Sequence, residues 1–378
     1  TRVRSSAASD VYKRQLFAWR GPLGALVGGH PHATATTATT PTIAPTATPR
    51  PLILHALVAG SYGGDVSSLS PNGVRNWRTF IGGEVTALAT DSSLNMVYAG
   101  IWFGKSHGAL YALDGATGNI RWHRASFVPM TIQAENGTVY MGTSSLYPKT
   151  TAAFFQALRG SDGATLWTST ADGCDGSQFA VTQGTVILDT GCNLILALDG
   201  ASGHEQWSAR VTVQGAPVIV GSIAYIGYVA LGVGDGKLLW NASSLNPNSS
   251  ITDAVGNNQV YIPVPPLIYA VSPDTGVLLW NNVMSGILPS VPAAGPGGIY
   301  DTTGSALEAR STNGGAVVWS APVNTTASLA PLVIGTAVYV SSSDGALYAF
   351  STSDGHQLWR VSMAGRVEAP AVALYAYA

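Results

Sequence analysis

The pattern Gly-x-x-x-Trp recurs eight times along this chain, at Gly73/Trp77, Gly118/Trp122, Gly163/Trp167, Gly203/Trp207, Gly236/Trp240, Gly276/Trp280, Gly315/Trp319 and Gly355/Trp359. Successive tryptophans stand 45, 45, 40, 33, 40, 39 and 40 residues apart, and these eight are most of the ten in the sequence. Self-similarity at such a period marks a repeat architecture and limits the fold more tightly than local propensity does. Ahead of each Gly lies an apolar strand such as Ala109–Leu113, Leu194–Leu198, Leu267–Val271 or Ala346–Phe350. Earlier stands a second, such as Met96–Ala99, Thr138–Met141 or Ala337–Val340. A third opens on Ala-Pro at Ala216–Val220 and Ala330–Ile334, and the segment holding the Trp is the fourth.

Four short strands per unit predict an all-β chain, an eight-bladed β-propeller of four-stranded antiparallel blades, with a solenoid as the alternative. The 327 residues from Leu52 to Ala378 divide into about 41 per blade. The first repeat lacks its Ala-Pro strand and opens on Leu54–Ala59, whereas Val367–Ala376 repeats that strand after the last Trp. The C-terminal segment is therefore expected to complete the first blade and close the ring, removing an exposed sheet edge. The repeat from Gly215 to Ala242 is short, and its Tyr225–Ala230 reads as two strands fused with their loop deleted.

The first 51 residues lie outside this pattern. Asp10–Gln15, read back into DNA as GATGTGTATAAGAGACAG, matches a transposase sequencing adapter, so residues 1–15 read as a scar and the natural N-terminus is expected upstream. Residues 16–51 read as a spacer rich in Thr, Ala and Pro, with an apolar start at Leu16–Gly29 that fits an anchor or signal remnant. His30 and His32 within it have no further metal ligand nearby in sequence.

Composition narrows the function. Forty-four Gly exceed the usual share, as many tight turns require, and 38 charged residues against 46% apolar ones exclude a disordered chain. A net charge of −2 gives no electrostatic footing for nucleic acid, and no window is apolar enough to span a membrane. Two cysteines exclude an iron–sulfur protein. A hairpin about Gln183-Gly184, pairing 178–182 with 185–189, brings position 192 opposite 174 or 175. Cys174 and Cys192 are therefore expected to form a disulfide, which implies an oxidising compartment.

The repeat resembles the pyrroloquinoline-quinone-like (PQQ-like) β-propeller family. Its tryptophan-docking motif, Ala-x-Asp-x-x-Thr-Gly-x-x-x-Trp, stands complete from Ala112 through Asp114, Thr117 and Gly118 to Trp122. From Ala197 through Asp199 and Gly203 to Trp207 it differs only by Ser202. The resemblance implies that each Trp packs against the neighbouring blade. Chemistry adds that the indole N–H needs a partner, that Gly admits the positive φ of the turn, and that Ala keeps the facing position small. Asp114 and Asp199 are expected to bond turn amides.

That resemblance also implies a choice of functions. Its alcohol- and sugar-oxidising members hold PQQ over the propeller's centre with Ca²⁺, a catalytic Asp and, in one branch, adjacent cysteines. Here Cys174 and Cys192 are not adjacent, the blades carry no long inserted loops, and only four Lys are present to hold a tricarboxylate. Glu84, Glu135, Glu205, Glu308 and Glu368 are scattered, and His55, His107, His123, His204 and His356 occupy inconsistent blade positions. No nucleotide-loop, zinc-protease or nucleophile-elbow motif is present. The reading is a non-catalytic extracytoplasmic binding or scaffolding domain, with a PQQ-dependent dehydrogenase as the alternative. It is expected to be monomeric, to need no cofactor, and to meet a protein or small ligand at the propeller face, touching a membrane only through an anchor upstream. Similar domains serve as outer-membrane assembly lipoproteins or as ectodomains of receptor-type kinases. Ile101, Trp102 and Phe103 in an insertion of the second blade are the expected contact patch, with a second insertion at 144–153 that includes Tyr147 and Lys149.

Overall fold

The computed structural model describes residues 52–377, apart from 106, 127, 144–152, 172–177, 214, 246–252, 286–290, 326–328 and 368. They build eight four-stranded antiparallel sheets, and one short 3₁₀ turn at Ser243–Leu245 is the sole helical element among the described residues. The second blade shows the plan: Glu84–Asp91 lies innermost, followed outward by Met96–Trp102, Gly108–Asp114 and Ile120–Ser126. No helix among the described residues is long and apolar enough to cross a membrane.

The ring closes as its ends require. Val372–Tyr377 pairs antiparallel with Leu52–Gly60, from Leu52↔Tyr377 to Val58↔Val372, and so becomes the first blade's innermost strand. The two ends of the propeller are thereby stitched into one sheet, and the inner edge of that sheet is covered. In the fifth blade the loop is short rather than absent. Ile223–Ile226 and Val229–Gly232 are separate strands joined by Gly227 and Tyr228, because Gly227 takes φ 56° and turns the chain in two residues.

Along each blade the three outer strands align one row of side chains. In the second blade Tyr98, Ala112 and Trp122 face one another across adjacent strands, and five other blades repeat Tyr-Ala-Trp. The alanine is what lets the flanking rings meet over it: Tyr98 and Trp122 lie 6.0 Å apart, tilted by 43°. The third-to-fourth strand turns of every blade, and the first-to-second turns of the second to eighth blades, fall on one face of the ring, the turn face. The second-to-third loops and the links between blades fall on the other, the loop face.

Candidate functional site

Each docking tryptophan reaches across to the next blade. The indole N–H of Trp77, Trp122, Trp167 and Trp207 donates to the carbonyls of Gly115, Gly160, Gly200 and Val233 at 2.8 to 2.9 Å. Trp240, Trp280 and Trp319 donate to Pro273, Thr312 and Thr352, and Trp359 returns to Pro71 of the first blade at 2.9 Å. Every acceptor follows the residue that opens the docking turn, so one bond type runs right round the ring. Asp114 builds that turn by accepting from the amides of Ala116 and Thr117 at 3.1 and 2.9 Å, and Asp199 accepts from the amide of Ser202 at 2.8 Å. Arg121, bonded to Asp114, holds that carboxyl down at about 2.

The glycine of the motif has a second role that its turn geometry alone did not reveal. Gly118 has φ 72°, and a methyl group placed on it would lie 2.5 Å from the ring of Trp77. Gly236 has φ 67°, and its methyl would lie 2.4 Å from Trp207. The same contact recurs at all eight junctions, from Gly73 on Trp359 to Gly355 on Trp319. Each glycine is thus the seat of the preceding blade's ring, and the docking residues are a structural belt.

The expected contact patch divides. Ile101 is fully buried, because it packs in the core between the first two blades. Trp102 is half-buried with its indole donating to the carbonyl of Lys105 at 2.8 Å, whereas Phe103 stays 49% exposed. Phe103 has company from the first blade: Phe80 is 70% exposed and Tyr62 54%. Phe80 and Phe103 flank the Gly82-Gly83 link, and the loop holding Tyr62 touches it through Gly64. Among the described residues these are the only largely exposed Phe, Tyr or Trp side chains, and all three lie on the loop face. Sequence reasoning missed Tyr62 and Phe80, since only the ring brings the first blade's loops beside the second's. Residues 144–152, with Tyr147 and Lys149, lie outside the described residues, as do His30, His32 and Glu368. Cys192 is disulfide-bonded, and Cys174 lies outside the described residues.

Glu135 accepts from the amides of Gln183 and Gly184 and ties the third blade to the fourth. His356 is exposed and bonded to Asp354 at 2.6 Å. Arg310, 1% exposed, bonds Asp301 at 2.9 Å and Glu308 at 2.6 Å inside the sixth–seventh blade junction. Burial pushes Asp301 up to about 6 against the pull of Arg310, and its second oxygen has no partner among the described residues. Among the described residues no three His, Cys, Asp or Glu side chains gather closely enough to hold a metal ion.

Asp253 is buried at the entry to the sixth blade's innermost strand, and neither carboxyl oxygen has a partner among the described residues. Desolvation drives its pKa well up. A folded value above the unfolded one means that the folded state holds the proton longer, so this group's contribution falls as pH rises from the ordinary carboxylate range. Asp253→Asn is expected to stabilise the protein by about 1 to 3 kcal/mol at pH 8 and to change little at pH 4. Urea midpoints of both forms at the two pH values measure this; an equal effect at both would contradict it.

Eight tryptophan-docked blades closed by the C-terminal strand define a PQQ-like propeller, the class that the docking motif implied. A family profile described as outer membrane protein assembly factor BamB matches residues 129–262 and 266–374, and the chain belongs to that family. Outer membrane protein assembly factor BamB of Yersinia pestis is 23% identical over 70% of this chain and 76% of its own length. The crystal structure of BamB from Moraxella catarrhalis superposes with a TM-score of 0.65 at 19% identity, covering 82% of this chain and 95% of that one. Apo AztD from Citrobacter koseri gives 0.64 at 13% identity, covering 86% and 98%. The structural likenesses concern the fold.

Proposed function

We propose that this propeller is an extracytoplasmic, non-catalytic scaffold that docks other proteins of an outer-membrane assembly machinery, using the aromatic patch of Tyr62, Phe80 and Phe103. The observation that carries the reading is the family match across the third to eighth blades. The geometry supports it. The docking belt makes the ring a rigid support, and its largely exposed aromatic rings stand together on the loop face. Clustered aromatics are the side chains that carry binding energy at protein interfaces. A disulfide at Cys192 fits an oxidising compartment.

The test is genetic and biochemical. Deleting the gene in its bacterial source is expected to lower the amount of folded β-barrel protein in the outer membrane, and the unaltered gene to restore it. A Phe80→Ser/Phe103→Ser double variant, folded as judged by its melting curve, is expected to fail to restore it and to bind its partner about tenfold or more weakly. Normal barrel levels after deletion would sink the proposal. Saturable binding of PQQ with Ca²⁺ and dye-coupled oxidation of an alcohol or sugar would install the enzyme reading instead.

A further inference from the structure

Five of the eight blade junctions share one filling, and the junction after the second blade lacks it. Four residues after the docking Trp, a side chain at or just past the end of the outer strand plugs the space against the next blade. It is Ile81, Val211, Met284, Val323 or Met363 in five of the blades, each packed into an apolar cluster. In the second blade that place belongs to Ser126, and a cleft of about 390 Å³ opens there towards the third blade. Such a volume suits a small ligand.

The lining has a definite chemistry. Leu110, Met141 and Leu158 give an apolar wall, and Arg124, His107 and Gln156 give polar groups. Arg124 spends one N–H on the carbonyl of Gly163 at 2.9 Å, and its others have no partner among the described residues. No Asp or Glu is among the described lining residues. The equivalent places in the seventh blade show what this site would otherwise hold. Met141, Gln156 and Leu158 correspond to Asp301, Glu308 and Arg310, where the protein supplies cation and carboxylates itself. In the second-to-third cleft all three of those charges are replaced, and a cation enters from the second blade instead, as Arg124 at the register of Asn282 in the sixth.

We propose that this cleft binds a small organic carboxylate with a compact apolar body, the carboxylate on Arg124 and the body against Leu110, Met141 and Leu158. The site is separate from the aromatic patch and does not depend on the docking role. The shared chemistry has two sources, a free acid or the carboxy-terminal residue of a polypeptide, and the probes distinguish them.

Benzoate, hexanoate and benzamide, with N-acetylleucine and N-acetylleucinamide, are titrated into the 378-residue protein and followed by calorimetry. Saturable binding of a carboxylate is expected, about tenfold or more tighter than its amide. Benzoate or hexanoate binding best indicates a free acid; N-acetylleucine binding best indicates a chain terminus. Ser126→Met supplies the plug that five other blades carry, so it is expected to melt no lower than the wild type and to abolish binding. Arg124→Gln is expected to weaken carboxylates and leave the amides unchanged. Absence of saturable binding by every probe, equal binding of acid and amide, or undiminished binding in Ser126→Met would each overturn the proposal.

Discussion

Trp77→Ala is expected to destabilise the ring by about 3 to 5 kcal/mol, and Gly118→Ala to cost nearly as much although it adds only one methyl group. The tryptophan is 8% exposed, its ring lies on Gly118, and its N–H is spent on Gly115. Truncation leaves a cavity at the junction and an unpaired carbonyl on the second blade. The glycine substitution acts on the same contact from the other side. An alanine at φ 72° costs about 1 to 2 kcal/mol by backbone strain alone. Its methyl would then stand 2.5 Å from the indole, too close for either group to stay. The two parts separate in a double-mutant cycle. In a Trp77→Ala background the clash with the indole is gone, so Gly118→Ala should cost only the strain and the remaining 2.7 Å approach to Thr79 Oγ1. Denaturation midpoints of the four proteins read the coupling. A coupling near zero would show that the glycine serves its turn and not the ring.

How far the sequence carried the fold depended on which residues repeat. Gly, Ala and Trp recur because every junction makes the same demand on them, and a demand met eight times is visible without an alignment. The closing strand was legible for the same reason: Val367–Ala376 copies an element that the first blade lacks, and the structure pairs it there. What differs from blade to blade was less legible. Ile101 reads as part of an apolar loop, yet the ring sets it in the core between two blades. Tyr62, Phe80 and Phe103 are separated by up to 41 positions and meet only when neighbouring loops come together. Ser126 carries no signal as a lone serine. It stands out once its register to Trp122 is compared with Ile81, Val211 and Met363 in theirs.

Arg310→Leu is expected to be the other severe lesion, at about 3 to 5 kcal/mol, although leucine is what five other blades carry at this position, Leu69 of the first among them. Leu113, Leu158, Leu198 and Leu231 each follow the facing alanine and are buried, just as Arg310 follows Ala309. The arginine is tolerated because Asp301 and Glu308 answer it, and because the Val283 carbonyl and Ser285 hydroxyl take further N–H groups. Removing it alone strands two carboxylates in the junction, and that stranded charge is the cost. The loss should therefore depend on pH. Asp301 already has a folded pKa of about 6, above its ordinary value, so its contribution to stability falls as pH rises from about 4 to about 6. Without Arg310 the value climbs further and the fall extends to higher pH, making the variant comparatively better at pH 5 than at pH 8. Replacing the whole cluster separates charge from packing. Asp301→Val/Glu308→Tyr/Arg310→Phe, the set found in the eighth blade as Val340, Tyr348 and Phe350, removes both signs together. It is expected to match the wild type or exceed it by about 1 to 4 kcal/mol. A triple variant as weak as Arg310→Leu would mean that the polar cluster itself stabilises the junction, and that the desolvation of its charges is more than repaid.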